Sequence, residues 1–154
     1  MIKQFVPSEI CLKCQGCCRF KEENSVWSVK LLEDERLRLK CENKTTPLKY
    51  SEKEGNFYCS FLDKNNNRCV IYSSRPLECQ LYPFLIHGKN KKVSLAVDSN
   101  CPFIQKDPEG KKVKDFALEL ASLLKTTAYQ NILKNNPHII QEYTNVLILE
   151  ELSQ

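Results

Sequence analysis

The chain is poor in histidine and glycine: its 154 residues hold only two of the first and four of the second. Two histidines, His87 and His138, leave little room for a Ser–His–Asp triad, and none stands out. Four glycines supply neither a phosphate-cradling loop nor a dinucleotide fingerprint. Long apolar runs are missing too. Near the start, Phe5 and Val6 are followed at once by Pro7, which argues against a signal peptide and against a spanning helix. No internal repeat or low-complexity linker is visible, and a single domain over 1–154 is the simplest reading of the length. A chain this long buries roughly two-thirds of the surface its unfolded form exposes, so it has a core of its own. With no export signal, the expected compartment is the reducing cytoplasm.

Cysteine is what the chain has in excess, with nine in all. Four of them, Cys11, Cys14, Cys17 and Cys18, read C-x-x-C-x-x-C-C. An odd total and the adjacent pair Cys17–Cys18 sit badly with a disulfide framework. Thiolates are soft ligands for zinc and for iron–sulfur clusters, and two of them separated by two residues address one ion from a single tight turn. Gly16 is expected to give that loop its conformational freedom. Adjacent side chains diverge, so Cys17 and Cys18 are expected either to serve two sites or to include a bridging ligand. Cys59, Cys69, Cys79 and Cys101 raise the total to eight, the count of two closed tetrathiolate centres. Cys41, the ninth, reads as a small core hydrophobe. Cys101-Pro102 echoes the remote Cys-Pro of bacterial ferredoxins, although a ferredoxin has no fourth thiol directly beside its third. The two kinds of centre share ligands, so the metal stays open between zinc and an iron–sulfur cluster.

The formal charge of +4 counts cysteine as neutral. A tetrathiolate zinc site, or a cluster with a doubly positive core, carries a net charge of about −2, so two such sites would bring the total near zero. Basicity is therefore weak evidence for nucleic acid. Lys89, Lys91 and Lys92 at a predicted hairpin tip read as a solvated turn, without aromatic platforms or a patterned arginine run.

The predicted fold class is α+β: a small cysteine-rich metal-binding region over 11–102, with short strands and hairpins, closed by two C-terminal helices over 108–151. Ser25–Lys30 reads as a strand and Leu31–Cys41 as a helix whose apolar positions are Leu37 and Cys41. Pro47–Tyr50, Phe57–Phe61 and Cys69–Tyr72 read as strands. The turn tract Asp63–Arg68 would bring Cys59 and Cys69 together. Arg75-Pro76 opens a turn or short helix carrying Cys79, which Pro83 ends. Phe84–His87 and Val93–Val97 form a hairpin. Val113, Phe116, Ala117, Leu120, Leu124, Ala128 and Leu133 give one helical stripe. Pro137 begins a second helix bearing Ile139, Ile140, Tyr143, Val146 and Leu147.

The run Cys11–Cys18, then Cys59-Ser-Phe-Leu62, Cys69-Val-Ile-Tyr72, Arg75-Pro76, Cys79, Tyr82-Pro83-Phe84 and Cys101-Pro102 resembles the CxxCxxCC family of YkgJ-like cysteine-cluster proteins. Val29–Leu37 is similar to that family's acidic-then-Arg-Leu helix. The resemblance implies zinc or iron chelation by the matched cysteines. A relative with a similar signature, the flagellin lysine N-methylase, is thought to hold an iron–sulfur cluster. This chain departs from that relative: it is shorter, has Phe103-Ile-Gln-Lys where a glycine-rich stretch often follows, and carries its two predicted C-terminal helices outside the match.

Three functions compete. The first is a metal-binding protein using Cys11, Cys14, Cys17, Cys18, Cys59, Cys69, Cys79 and Cys101. The second is an iron–sulfur-dependent enzyme in electron transfer or protein side-chain modification. The third is a zinc-stabilised interaction module whose helices hold an unknown protein partner. Arg75 is expected to bond backbone carbonyls or a carboxylate such as Glu78, or else to tune the sulfurs. Tyr72, Tyr82 and Phe84 are expected to shield the thiolates. His87 and His138 could ligate zinc, but eight cysteines leave no vacancy that demands either.

Overall fold

The computed structural model describes residues 2–14 and 16–152. Two compact units emerge: Val6–Gln80, and a second made of the chain up to Phe5 together with everything from Leu81 onward. Helices mix with antiparallel sheets, as the α+β reading expects. Among the described residues, no helix is long and apolar enough to cross a membrane.

The first unit is built from short elements. Helix α1 (Ser8–Cys11) leads into the cysteine loop, and β1 (Arg19–Phe20) leaves it. Next come α2 (Glu33–Arg38), β2 (Leu48–Ser51), β3 (Asn56–Cys59), β4 (Leu62–Asp63), β5 (Arg68–Cys69) and α3 (Leu77–Leu81). β3 is the centre of a three-stranded antiparallel sheet in the order β1-β3-β2, and β4 and β5 form a hairpin. That hairpin is the turn tract read from the sequence, with Leu62 paired to Cys69.

Three predictions fail in this unit. The strand read over Cys69–Tyr72 stops at Cys69, because the chain turns back on itself there: Tyr72–Ser74 is a 3-10 turn, with the Ser74 N–H bonded to Ile71 O at 2.9 Å. Ser25–Lys30 is not a strand: the Ser25 hydroxyl accepts the Trp27 N–H at 3.2 Å, and the Ser25 carbonyl accepts the Ser28 N–H and hydroxyl at 3.0 and 2.7 Å. Those local bonds satisfy the backbone as a turn, and serine competes with regular structure in this way. The α2 helix is also shorter than predicted. Lys40 adopts a left-handed φ of 54°, with Cys41 N–H bonded to Arg36 O and Lys40 N–H to Leu37 O. This is a Schellman cap, and it ends the helix before Cys41. Leu37, inside the helix, faces solvent at 63% exposure, while Cys41 beyond the cap is buried.

In the second unit, β6 (Phe84–Lys89) and β7 (Lys92–Asp98) form the expected hairpin. Its tip, Asn90-Lys91, has φ of 51° and 64°, the two positive values that a type I′ turn requires. Gly88 leaves room for Ile140: a Cβ there would lie 2.5 Å from the Ile140 Cγ2 and would force that side chain to shift. Helix α4 (Lys111–Leu124) buries Val113, Ala117, Leu120, Ala121 and Leu124. Phe5, Phe84 and Phe116 meet edge-on or tilted, with ring centroids 4.9–5.3 Å apart.

Two C-terminal expectations are overturned here. The stripe through Leu133 is not one helix: the chain breaks at Thr126, whose N–H and hydroxyl both turn back to Leu123 O, and α5 (Thr127–Asn135) starts afresh with Ala128 exposed. The helix predicted from Pro137 is only a three-residue 3-10 turn, Pro137–Ile139. Beyond it lies β8 (Val146–Glu151), paired antiparallel with β7. Val146, Leu147, Ile148 and Leu149 are a strand-length apolar run, and β-branched residues fit a sheet better than a helix.

Candidate metal centre

All nine cysteines are described, and none is in a disulfide. Cys11 closes α1; Cys14 is half-buried, and Cys17 and Cys18 precede β1. Cys59 ends β3, Cys69 ends β5, and Cys79 sits within α3. Cys101 is buried and belongs to the second unit.

Four of the eight predicted ligands share one neighbourhood in the first unit. The Cys59 N–H donates to the Cys18 carbonyl at 3.0 Å, which ties the end of β3 to the cysteine loop. Burial pushes the Cys79 thiol well up, and the charges of Cys59, Cys17 and Cys69 push it further. Cys59 is raised by burial and by Cys69 and Cys41; Cys69 is raised by burial and by Cys17. Cys17 is exposed as a residue, yet its thiol is held well above the ordinary range, first by a hydrogen bond with Cys18 and then by desolvation. Cys17, Cys59, Cys69 and Cys79 thus form a set of neutral thiols that feel one another. Among the described residues, no three donors are already arranged around a single ion.

The chemistry of this donor set fits a thiolate-bound metal. At Cys59 and again at Cys69, the backbone N–H two residues on, of Phe61 and Ile71, is directed at the sulfur and favours its charged form. Such N–H donors orient ligands and stabilise negative charge on them. Arg75 adds a permanent positive charge that draws the Cys69 thiol down. The Arg75 guanidinium lies 4.2 Å over the Tyr72 ring, and Tyr72 is 43% exposed. Tyr72 therefore covers Arg75. Tyr82 donates to Asp98 at 2.8 Å and Phe84 is buried in the second unit's core, so both have structural work there.

Backbone bonds hold the cysteine loop. Cys14 N–H reaches Ile10 O and Cys11 O at 3.1 Å each, and Arg19 N–H reaches Gly16 O at 3.0 Å. The Gly16 backbone lies close to the Cys14 sulfur, which is 3.4 Å from where a Cβ would stand.

Several supporting residues were invisible in the spacing of the cysteines. Asn67, at φ 55°, donates its amide to the Leu12 and Cys14 carbonyls and accepts from Arg19 Nη1 at 3.0 Å. Glu35 is buried; its carboxylate accepts the Leu32 N–H at 2.9 Å and the Leu77 N–H at 2.7 Å, the second of these holding the start of the helix that carries Cys79. Burial raises the Glu35 pKa against the pull of those two bonds. Glu78 accepts the Lys30 N–H at 2.6 Å. The histidines lie elsewhere. His87 is buried in β6, where its Nδ1 accepts the Tyr143 N–H at 3.2 Å, and His138 lies in the 3-10 turn. At the hairpin tip Lys89 and Lys92 pair with Glu142 and Glu151 at 2.8 and 3.9 Å.

The sequence matches the family CxxCxxCC, described as "Putative zinc- or iron-chelating domain", over residues 10–102. The chain belongs to that family, and its metal is of the zinc-or-iron class. An "Uncharacterized protein MJ0661" of Methanocaldococcus jannaschii is 45% identical over 40 residues, covering 26% of this chain and 22% of that protein. The chain thus spans less than a quarter of that curated relative's length. No solved structure matches the chain.

Proposed function

We propose that the protein binds zinc or an iron–sulfur cluster through thiolates, with Cys17, Cys59, Cys69 and Cys79 as the principal ligands. The observation that supports this is the gathering of four sulfurs from four separate segments, the cysteine loop, β3, β5 and α3. Four thiolates make a closed centre for zinc or for a cluster. Cys11 at the end of α1, and Cys14 and Cys18 on the same loop as Cys17, are the donors for any second centre. Cys101 falls within the family match but in the second unit, and we assign it to neither centre.

A zinc so held would cross-link the first unit; a cluster would in addition supply one-electron transfer. This chain's own residues do the rest. The Phe61 and Ile71 amides and the Arg75 charge favour thiolate at Cys59 and Cys69, while Glu35 and Glu78 fix the helix that carries Cys79. Metal identity separates the binding protein from the iron–sulfur enzyme, which stays the second reading.

The test is elemental analysis and visible absorption of protein purified without oxygen. Near-stoichiometric zinc or iron, lost in Cys79→Ser, supports the reading. Colourless protein with neither metal and all nine thiols titrating at once overturns it.

A further inference from the structure

One buried polar group in the first unit is left over once the fold is accounted for. Thr46 is 2% exposed, and among the described residues its Oγ1 has no hydrogen-bond partner of proper geometry. A buried hydroxyl without a partner costs free energy, so native structures rarely keep one. The Thr46 backbone leaves it little freedom to move. Its N–H donates to Val29 O at 2.9 Å, and the next residue, Pro47, accepts the Ser60 N–H at 2.8 Å. With Leu48 opposite Cys59 in the β2–β3 ladder, those bonds fix Thr46 beside the end of β3. Thr46 is thereby placed to favour the thiolate form of Cys59 as a donor, although no well-formed bond to the sulfur is present.

We propose that Thr46 is a positioning residue for the metal centre: its hydroxyl donates a hydrogen bond to the Cys59 sulfur when that sulfur is a metal-bound thiolate. A neutral thiol is a weak acceptor, whereas a thiolate is a strong one, and bonds to charged groups are the stronger class. The hydroxyl that is orphaned beside the thiol is satisfied beside the thiolate. Together with the Phe61 N–H it gives the Cys59 thiolate two donors. The inference rests on the thiolate centre proposed above and adds to it a residue that no cysteine motif contains.

The experiment measures zinc affinity by competition with a chromophoric chelator for the full-length wild type, Thr46→Val and Thr46→Ser. Thermal unfolding of each metal-free protein is recorded alongside. The expected result is a loss of about tenfold in affinity for Thr46→Val, the lower end of what removing such a supporting bond costs, with Thr46→Ser close to wild type. The metal-free Thr46→Val protein is expected to be no less stable than wild type, because it no longer buries a lone hydroxyl. Should Thr46→Val not fold, the Thr46→Ser and Thr46→Ala pair, which differ by the hydroxyl alone, makes the same comparison. Equal zinc affinity with and without the hydroxyl overturns the role of Thr46 while leaving the metal centre intact. A wild-type protein that takes up no zinc and no iron overturns the centre and this inference together.

Discussion

The side-chain amide of Asn67 holds the carbonyl of Cys14 at 3.0 Å, across 53 residues of chain. The same nitrogen holds Leu12 O at 2.6 Å, so a hairpin turn fixes the middle of the cysteine loop. Asn67→Ala removes both bonds together with the one its Oδ1 accepts from Arg19, and it also places a residue of lower tolerance for the left-handed region at φ 55°. The expected cost is about 2–3 kcal/mol, part from the lost bonds and part from the left-handed backbone. Asn67→Gly keeps the backbone conformation accessible and should cost about 1–2 kcal/mol. Denaturant unfolding of both variants checks the split.

Metal uptake should release protons. Cys17, Cys59, Cys69 and Cys79 all have raised pKa values, so each holds its proton near neutrality. Ligation requires the thiolate, and about four protons should appear per ion bound at a tetrathiolate site. Apparent affinity should therefore fall as pH falls. Titration of zinc into weakly buffered protein with a pH electrode reads both effects; uptake without proton release would exclude these thiols as ligands.

Glu35 gives the first unit a pH signature of its own. Its folded pKa is raised above 4.5, so the native state holds the proton more tightly than the unfolded chain does. Stability should fall as pH rises from the ordinary value to the raised one and level off above it. Glu35→Gln abolishes that slope, and it leaves either the Leu32 or the Leu77 N–H facing an amide that cannot accept both bonds. A loss of about 1–3 kcal/mol at neutral pH is expected. Urea unfolding across the acid range, for wild type and variant, measures the difference.

His87 acts in the opposite direction, in the second unit. Burial lowers its pKa below 6.5, and its Nδ1 must be unprotonated to accept the Tyr143 N–H. Its contribution to stability should be lost as pH drops through the ordinary histidine range toward the lowered value. A pH titration of the imidazole by NMR, next to unfolding at each pH, checks this; a histidine that protonates at its ordinary pKa with no loss of stability contradicts it.

Arg75 and Tyr72 should be energetically coupled. A guanidinium 4.2 Å over a ring is worth about 0.5–1 kcal/mol at a partly exposed site. A double-mutant cycle with Arg75→Lys and Tyr72→Leu measures it, and lysine should not replace arginine, because it lacks the flat face that stacks. Additive losses would mean that the two side chains merely lie near each other.

The short-range signals in the sequence served well. The Asp63–Arg68 turn, the Lys89–Lys92 hairpin tip and the helix carrying Cys79 all formed where turn chemistry and proline placed them. Failures came where local signals compete. Ile139, Ile140, Tyr143, Val146 and Leu147 satisfy a helical spacing, but the last two belong to a strand whose partner, β7, lies some fifty residues earlier. A short apolar run does not disclose its period by itself. The same limit applies to the candidate centre. Cysteines are legible because their chemistry is unusual, whereas Asn67, Glu35 and Thr46 are ordinary residues that matter only through atoms brought near by folding.

The pairing of β8 with β7 also bears on how the protein can be dissected. The family match stops at residue 102, yet β7 is the middle strand of its sheet, and the strand on its far side begins at Val146. A fragment trimmed to the matched region would leave that middle strand with one naked hydrogen-bonding flank, an invitation to pair with a neighbouring molecule. The evolutionary unit and the unit that stays dissolved in a test tube therefore need not coincide, and expression work on relatives should keep the tail.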